Sequence, residues 1–153
     1  MKDLIDSIII KNSILDIELP INSSKMMLCG DSGTGKTYMI KLLEYSLREN
    51  VFRDATQSNF DLNKIEIIQT KKDCEHFNPS LSGRLVFIDR ADYLLEKKDF
   101  DMLNNSKNLF YVVSRLPDYA CGFNVGLRSL LVLNYEYKDG VNKFRTLEYF
   151  RKH

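Results

Sequence analysis

Residues 30–37 read Gly-Asp-Ser-Gly-Thr-Gly-Lys-Thr. Glycines, a lysine and a hydroxyl at this spacing suit one task, the holding of phosphate. The glycines let the backbone curl tightly, so that successive N–H groups converge on anionic oxygens. Gly30, Asp31, Ser32, Gly33, Thr34, Gly35, Lys36 and Thr37 are therefore the expected phosphate cradle. Lys36 is placed to reach the β- and γ-phosphates of a nucleoside triphosphate, and the Thr37 hydroxyl to bind Mg²⁺. A glycine-rich turn could match such a pattern by chance. Here it sits between the apolar run Met26-Met27-Leu28-Cys29 and a segment with Met39, Leu42, Leu43 and Leu47 at helical spacing. That is the strand–loop–helix context the chemistry needs, because the helix adds its positive dipole end at the phosphates.

A second polar group of the right kind follows the apolar run Leu85-Val86-Phe87-Ile88, which ends in Asp89. A carboxylate there would share the Mg²⁺ with Thr37. With both motifs in hand, the chain resembles the P-loop ATPases of the AAA-like and ABC-like division, with Gly30–Thr37 as Walker A and Leu85–Asp89 as Walker B. The resemblance extends over the whole chain in layout, but only these two motifs carry it with specificity. It implies ATP as ligand and Mg²⁺ as its metal. It also implies a catalytic Glu directly after the Walker B Asp, and there the sequence departs from the pattern, because residue 90 is Arg. A guanidinium cannot take a proton from water at any accessible pH. Asp92 or Glu96, one or two turns further on, is the carboxylate left to replace it. Ser114, at the end of the run Leu109–Val113, stands where AAA-type proteins place a polar γ-phosphate sensor, with Arg115 beside it. Gln69 stands where ABC-type ATPases carry the Q-loop glutamine. Leu81-Ser82-Gly83 abuts the Asp89 strand and leaves no room for the helix that an ABC signature opens, so it is set aside. The guanine-reading Asn-Lys-x-Asp and the Asp-x-x-Gly of Ras-like GTPases find no counterpart, which favours ATP over GTP.

These residues must be held by strands that end together. Ser7–Lys11 and Ile14–Leu19 read as an antiparallel pair at the sheet's margin, the second alternating apolar and acidic residues. Met26–Cys29, Ile65–Gln69, Leu85–Asp89 and Leu109–Ser114 are short apolar runs of the kind covered on both faces. Tyr38–Glu49 and Tyr93–Asn104 read as helices, and 50–63 gives no clear signal. Asp139-Gly140 between two strand-like runs, Leu130–Tyr135 and Lys143–Tyr149, signals a hairpin. The expected architecture is an α/β P-loop three-layer α/β/α sandwich with a mostly parallel sheet, flanked by antiparallel hairpins at the N- and C-terminal ends, in one domain over 1–153.

Bulk properties set limits on function. Lys and Arg number 22 against 21 Asp and Glu, so the net charge of +1 makes no electrostatic case for nucleic acid or an anionic membrane as partner. The three cysteines, Cys29, Cys74 and Cys121, form no CxxC pair, which speaks against zinc and against a disulfide framework. No apolar stretch is long enough to span a membrane, and a cytoplasmic location follows as the expectation. The function expected is that of an ATP-binding core whose hydrolysis is slow or dependent on a protein partner or a second copy. The residues expected to act are Lys36, Asp89, Asp92 and Ser114, with Thr37 and Asp89 on the metal. A nucleotide-dependent binding module without significant turnover is the alternative, which Arg90 favours. A small P-loop kinase comes third, because residues 115–128 offer only Arg115 and Arg128 to a phosphate-covering lid.

Overall fold

A computed structural model describes residues 6–30, 35–115 and 125–150. In chain order its elements are β1 (Ser7–Lys11), β2 (Leu15–Pro20), β3 (Lys25–Leu28), α1 (Lys36–Arg48), α2 (Asn50–Ala55), β4 (Gln57–Ser58), β5 (Ile65–Ile68), α3 (Lys71–His76), β6 (Ser82–Ile88), α4 (Ala91–Leu94), α5 (Lys97–Asn104), β7 (Lys107–Val113), β8 (Leu130–Lys138) and β9 (Val141–Glu148). All nine strands belong to one sheet, in the order β4-β1-β2-β9-β8-β3-β7-β6-β5. β3 pairs in parallel with β7 and β8, β6 in parallel with β5 and β7, and β2 in parallel with β9. The β1–β2, β1–β4 and β8–β9 pairs are antiparallel.

This corrects the expected architecture. The chain is not a helix-rich three-layer α/β/α sandwich with a mostly parallel sheet. It is a strand-dominated fold on a curled, mixed nine-stranded sheet with five α-helices among the described residues. The reason lies in the hairpins. They were expected to flank a parallel sheet, but β9 runs alongside β2, so both hairpins join the sheet and with β4 supply five of its nine strands. Of the helices only α1, at 13 residues, is longer than the eight-residue α5. The single helix expected over 93–104 is two short ones. Leu95 is extended and buried, and Glu96 opens α5 through a capping box with Asp99. Nor is the β1–β2 pair the margin, because the two-residue β4, within the unassigned stretch 50–63, lies outside it.

Two buried clusters fill the space on the sheet's two sides. One joins Met26 and Leu28 of β3 to Met39, Ile40 and Leu43 of α1 and to the inward residues of β1 and β2. The other joins Met27 and Cys29 to Cys74 of α3, Leu94 of α4 and Leu103 of α5. β3 therefore sends alternate side chains into both clusters, which is why its sequence is continuously apolar rather than alternating. β1 and β2 alternate instead, with Ile8, Ile10, Leu15, Ile17 and Leu19 fully buried.

Polar ties join the two halves of the sheet. The Asn142 side chain in β9 is buried, accepts from the Tyr135 hydroxyl at 2.6 Å and donates to the Ile14 carbonyl at 2.9 Å. Arg145 in β9 reaches Asp16 and Glu18 of β2, each at 3.2 Å. At the far turn of the β8–β9 hairpin, Asp139 and Gly140 have φ of 52° and 79°, as the expected Asp-Gly turn requires.

Candidate phosphate and metal site

The carboxyl ends of the parallel strands converge at one edge of the sheet. β3 leads there into Gly30, β6 into Asp89, and β7, between them, into Ser114. Backbone hydrogen bonds continue the ladder one residue past each strand. Ser114 N–H donates to the Leu28 carbonyl at 2.9 Å, Asp89 N–H to that of Ile68 at 2.9 Å, and Cys29 N–H to that of Leu131 at 2.8 Å. The three residues are thereby fixed by main chain before any side-chain contact is made.

Of the phosphate cradle, Gly30, Gly35, Lys36 and Thr37 are described, and Asp31, Ser32, Gly33 and Thr34 lie outside the described residues. Gly30 and Gly35 have φ of 126° and 92°, a conformation that favours glycine. At Gly35 space is short as well, because a Cβ there would lie 3.2 Å from the Cβ of Tyr135 in β8. Tyr135 also meets Tyr38 edge-on, with ring centroids 5.8 Å apart, and stacks on Phe144 at 5.0 Å. The C-terminal hairpin thus buttresses the start of α1. Nothing local in the sequence announces this contact, since β8 reaches the loop only by pairing beside β3.

Lys36 is the first residue of α1 and is buried, its ammonium donating to the Gly30 carbonyl at 2.9 Å. Thr37 donates its hydroxyl hydrogen to Asp89 Oδ1 at 3.2 Å, across 52 residues of sequence. Asp89 is only 2% exposed. The two motifs therefore meet. Ligands at 2.0–2.1 Å in adjacent positions of an octahedral Mg²⁺ lie about 2.9 Å apart, close to this separation. A hydroxyl and one carboxylate also match the way Mg²⁺ is usually held, with phosphate oxygens and water completing the shell. The chemistry of the pair would suit a Mg²⁺–triphosphate complex, with Thr37 and Asp89 as the residues that would hold the ion. Among the described residues no group of three or more His, Cys, Asp or Glu forms a metal cluster of its own.

The remaining candidates divide. Asp92, in α4, lines a cavity of about 550 Å³ together with Lys36, Thr37, Arg90 and Arg115. Glu96 turns away, highly exposed between Lys71 at 3.8 Å and Lys98 at 3.7 Å. Ser114 is fully buried at the end of β7, and its neighbours Val113 and Arg115 wall the cavity. Gln69 follows edge strand β5, three places from β3, where its N–H donates to Asp73 in the cap of α3. The structure does not bring it to the site. Cys29, next to the loop, is buried and its thiol is pushed up to about 11, which makes it a poor nucleophile at neutral pH.

Burial raises the pKa of Asp89, with the Thr37 hydrogen bond and the Arg90 charge opposing that shift. A carboxyl raised in this way favours the fold fully below its unfolded pKa, and the benefit is lost as pH rises through the folded value. At pH 7 without metal or nucleotide, Asp89→Asn should therefore have a higher melting midpoint than wild type. The gap should close as pH falls into the carboxyl's titration range. Equal midpoints at pH 7, or a gap that widens with acid, would show that Asp89 is not held as a desolvated charge.

Comparison of the chain with models of known protein families finds no match, and comparison with curated proteins finds none either.

Proposed function

We propose that this chain binds MgATP, with the triphosphate in the loop 30–37 and the metal between Thr37 and Asp89. The observation that carries the reading is the Thr37–Asp89 hydrogen bond of 3.2 Å. Two motifs chosen for complementary roles on one metal–phosphate group meet side chain to side chain, Thr37 in the first turn of α1 after β3 and Asp89 at the end of β6, with β7 between the two strands. The buried position of Lys36 supports it further, since an ammonium held at 7% exposure suits an anion brought to the same spot. ATP is preferred to GTP because the guanine-reading motif is lacking. The resemblance to P-loop ATPases of the AAA-like and ABC-like division enters on the two motifs alone. Among the described residues no helix is long and apolar enough to cross a membrane. A cytoplasmic setting belongs to the same proposal, consistent with the free, buried thiols of Cys29 and Cys74.

Replacing Lys36 with Ala removes the charged contact to the β- and γ-phosphates. Charge-assisted contacts contribute about 1.5–3 kcal/mol, so ATP affinity should fall roughly tenfold to a hundredfold. Calorimetric titration of wild type and Lys36→Ala measures this, and equal affinities would remove the loop from consideration as the site.

One feature separates a binding module from a brisk ATPase. The place after Asp89 belongs to Arg90, which is exposed and cannot act as a base. Among the described residues lining the cavity beside Thr37, Asp92 is the carboxylate. The chain is accordingly a nucleotide-dependent module whose hydrolysis waits for groups supplied by a protein partner or a second copy. Steady-state turnover of the purified chain should lie well below the order of 1 s⁻¹, against a median near 10 s⁻¹ for enzymes. A rate at or above that median, with the chain alone in solution, would contradict this part of the reading.

A further inference from the structure

We infer that Arg90 reads the terminal phosphate, so that the site distinguishes triphosphate from diphosphate; the inference rests on the nucleotide-binding reading above. Its first support is backbone geometry. Among the described residues only Arg90 and Asp139 are non-glycine residues with positive φ, at 49° and 52°. Asp139 sits in a two-residue hairpin turn that demands this conformation, and Asp tolerates it. Arg90 lies in no such turn. A long side chain held in the left-handed region at the end of a central strand is a strain that a glycine would avoid, and such strain concentrates where a site needs a particular side chain.

The second support is where the side chain goes. The Arg90 guanidinium lies over the ring of Tyr93, 5.9 Å from its centroid. The guanidinium's N–H donors lie in its own plane, where they form the fork that binds an anion's oxygens in pairs. Arg90 lines the same cavity of about 550 Å³ as Lys36, Thr37 and Arg115, with Asp92 the carboxylate among its lining residues. Lys36, Arg90 and Arg115 stand against Asp92 in that lining and against Asp89 just behind it on Thr37, so cations outnumber carboxylates there among the described residues. Such a wall suits an anionic ligand.

Sequence position supplies the third. Arg90 follows Asp89 directly, and Asp89 touches Thr37, so the guanidinium is anchored one residue from the metal pair. A metal held by Thr37 and Asp89 would draw the triphosphate's terminal oxygens to this place. A cation beside it meets the γ-phosphate, which ADP lacks. The arginine then does at this position what a carboxylate could not, adding affinity for the intact triphosphate.

The test is calorimetric titration of wild type and Arg90→Gln with MgATP and with MgADP. Loss of one charge-assisted contact should weaken MgATP about tenfold while MgADP changes by less than about twofold. Arg90→Gly, which accepts the positive φ, should show the same selective loss and keeps the question answerable if the Gln variant folds poorly. Equal losses for both nucleotides, or no loss for either, would overturn the role of Arg90 while leaving the phosphate loop in place. Wild-type protein that binds neither nucleotide would overturn this inference together with the function on which it rests.

Discussion

A hydroxyl and a carboxylate, Thr37 and Asp89, hydrogen-bond at 3.2 Å at the edge of a sheet whose central strands are apolar on both faces. Much of the structure can be understood as what is needed to keep them there. Asp89 is almost wholly buried, and a charged group in that position is tolerated only when it is partnered. Parallel strands β3, β7 and β6 bring its Cα to the same edge as the loop. α1 begins at Lys36 because Gly35, with φ of 92°, can turn the chain into it without strain. The cost of burying Asp89 appears as its raised pKa.

The hairpins contribute more than edges. Tyr135 fills the space beside Gly35 that a side chain would otherwise occupy, and its hydroxyl is fixed by Asn142, which in turn holds the Ile14 carbonyl. A continuous set of contacts therefore runs from the N-terminal hairpin through β9 and β8 to the start of α1. It closes against Gly35, while Tyr93 and Arg90 line the cavity beside it, Tyr93 75% exposed.

How much of this was legible depended on the range of each signal. The strand–loop–helix around Lys36 and the apolar run into Asp89 are local patterns, and the elements appear where those patterns put them, with β6 starting three residues earlier than expected, at Ser82. The Asp-Gly hairpin turn was equally local. The pairing of β9 with β2 was not, because a parallel partner 127 residues away by register, Asn142 opposite Leu15, leaves no local trace in either strand. That single pairing turned an expected parallel sandwich with flanking hairpins into one mixed sheet. The break between α4 and α5 escaped notice for another reason, since Leu95 continues an apolar helical spacing and only the Glu96–Asp99 cap reveals the restart. Within the site, Lys36, Thr37, Asp89 and Asp92 were found from residue type and spacing and are brought together, whereas Gln69 and Glu96 had suitable chemistry on elements that face elsewhere.

The central claim is that Thr37 and Asp89 act on one ion. A double-mutant cycle on the gain in ATP affinity produced by Mg²⁺ tests this most directly, with wild type, Thr37→Ala, Asp89→Asn and the double variant compared. If both residues serve one metal, each single change should remove most of the gain and the double variant should lose little more, a coupling within the about 0.5–3 kcal/mol range seen for residues in contact. Losses that simply add, or a Mg²⁺ gain that survives both changes, would contradict the account.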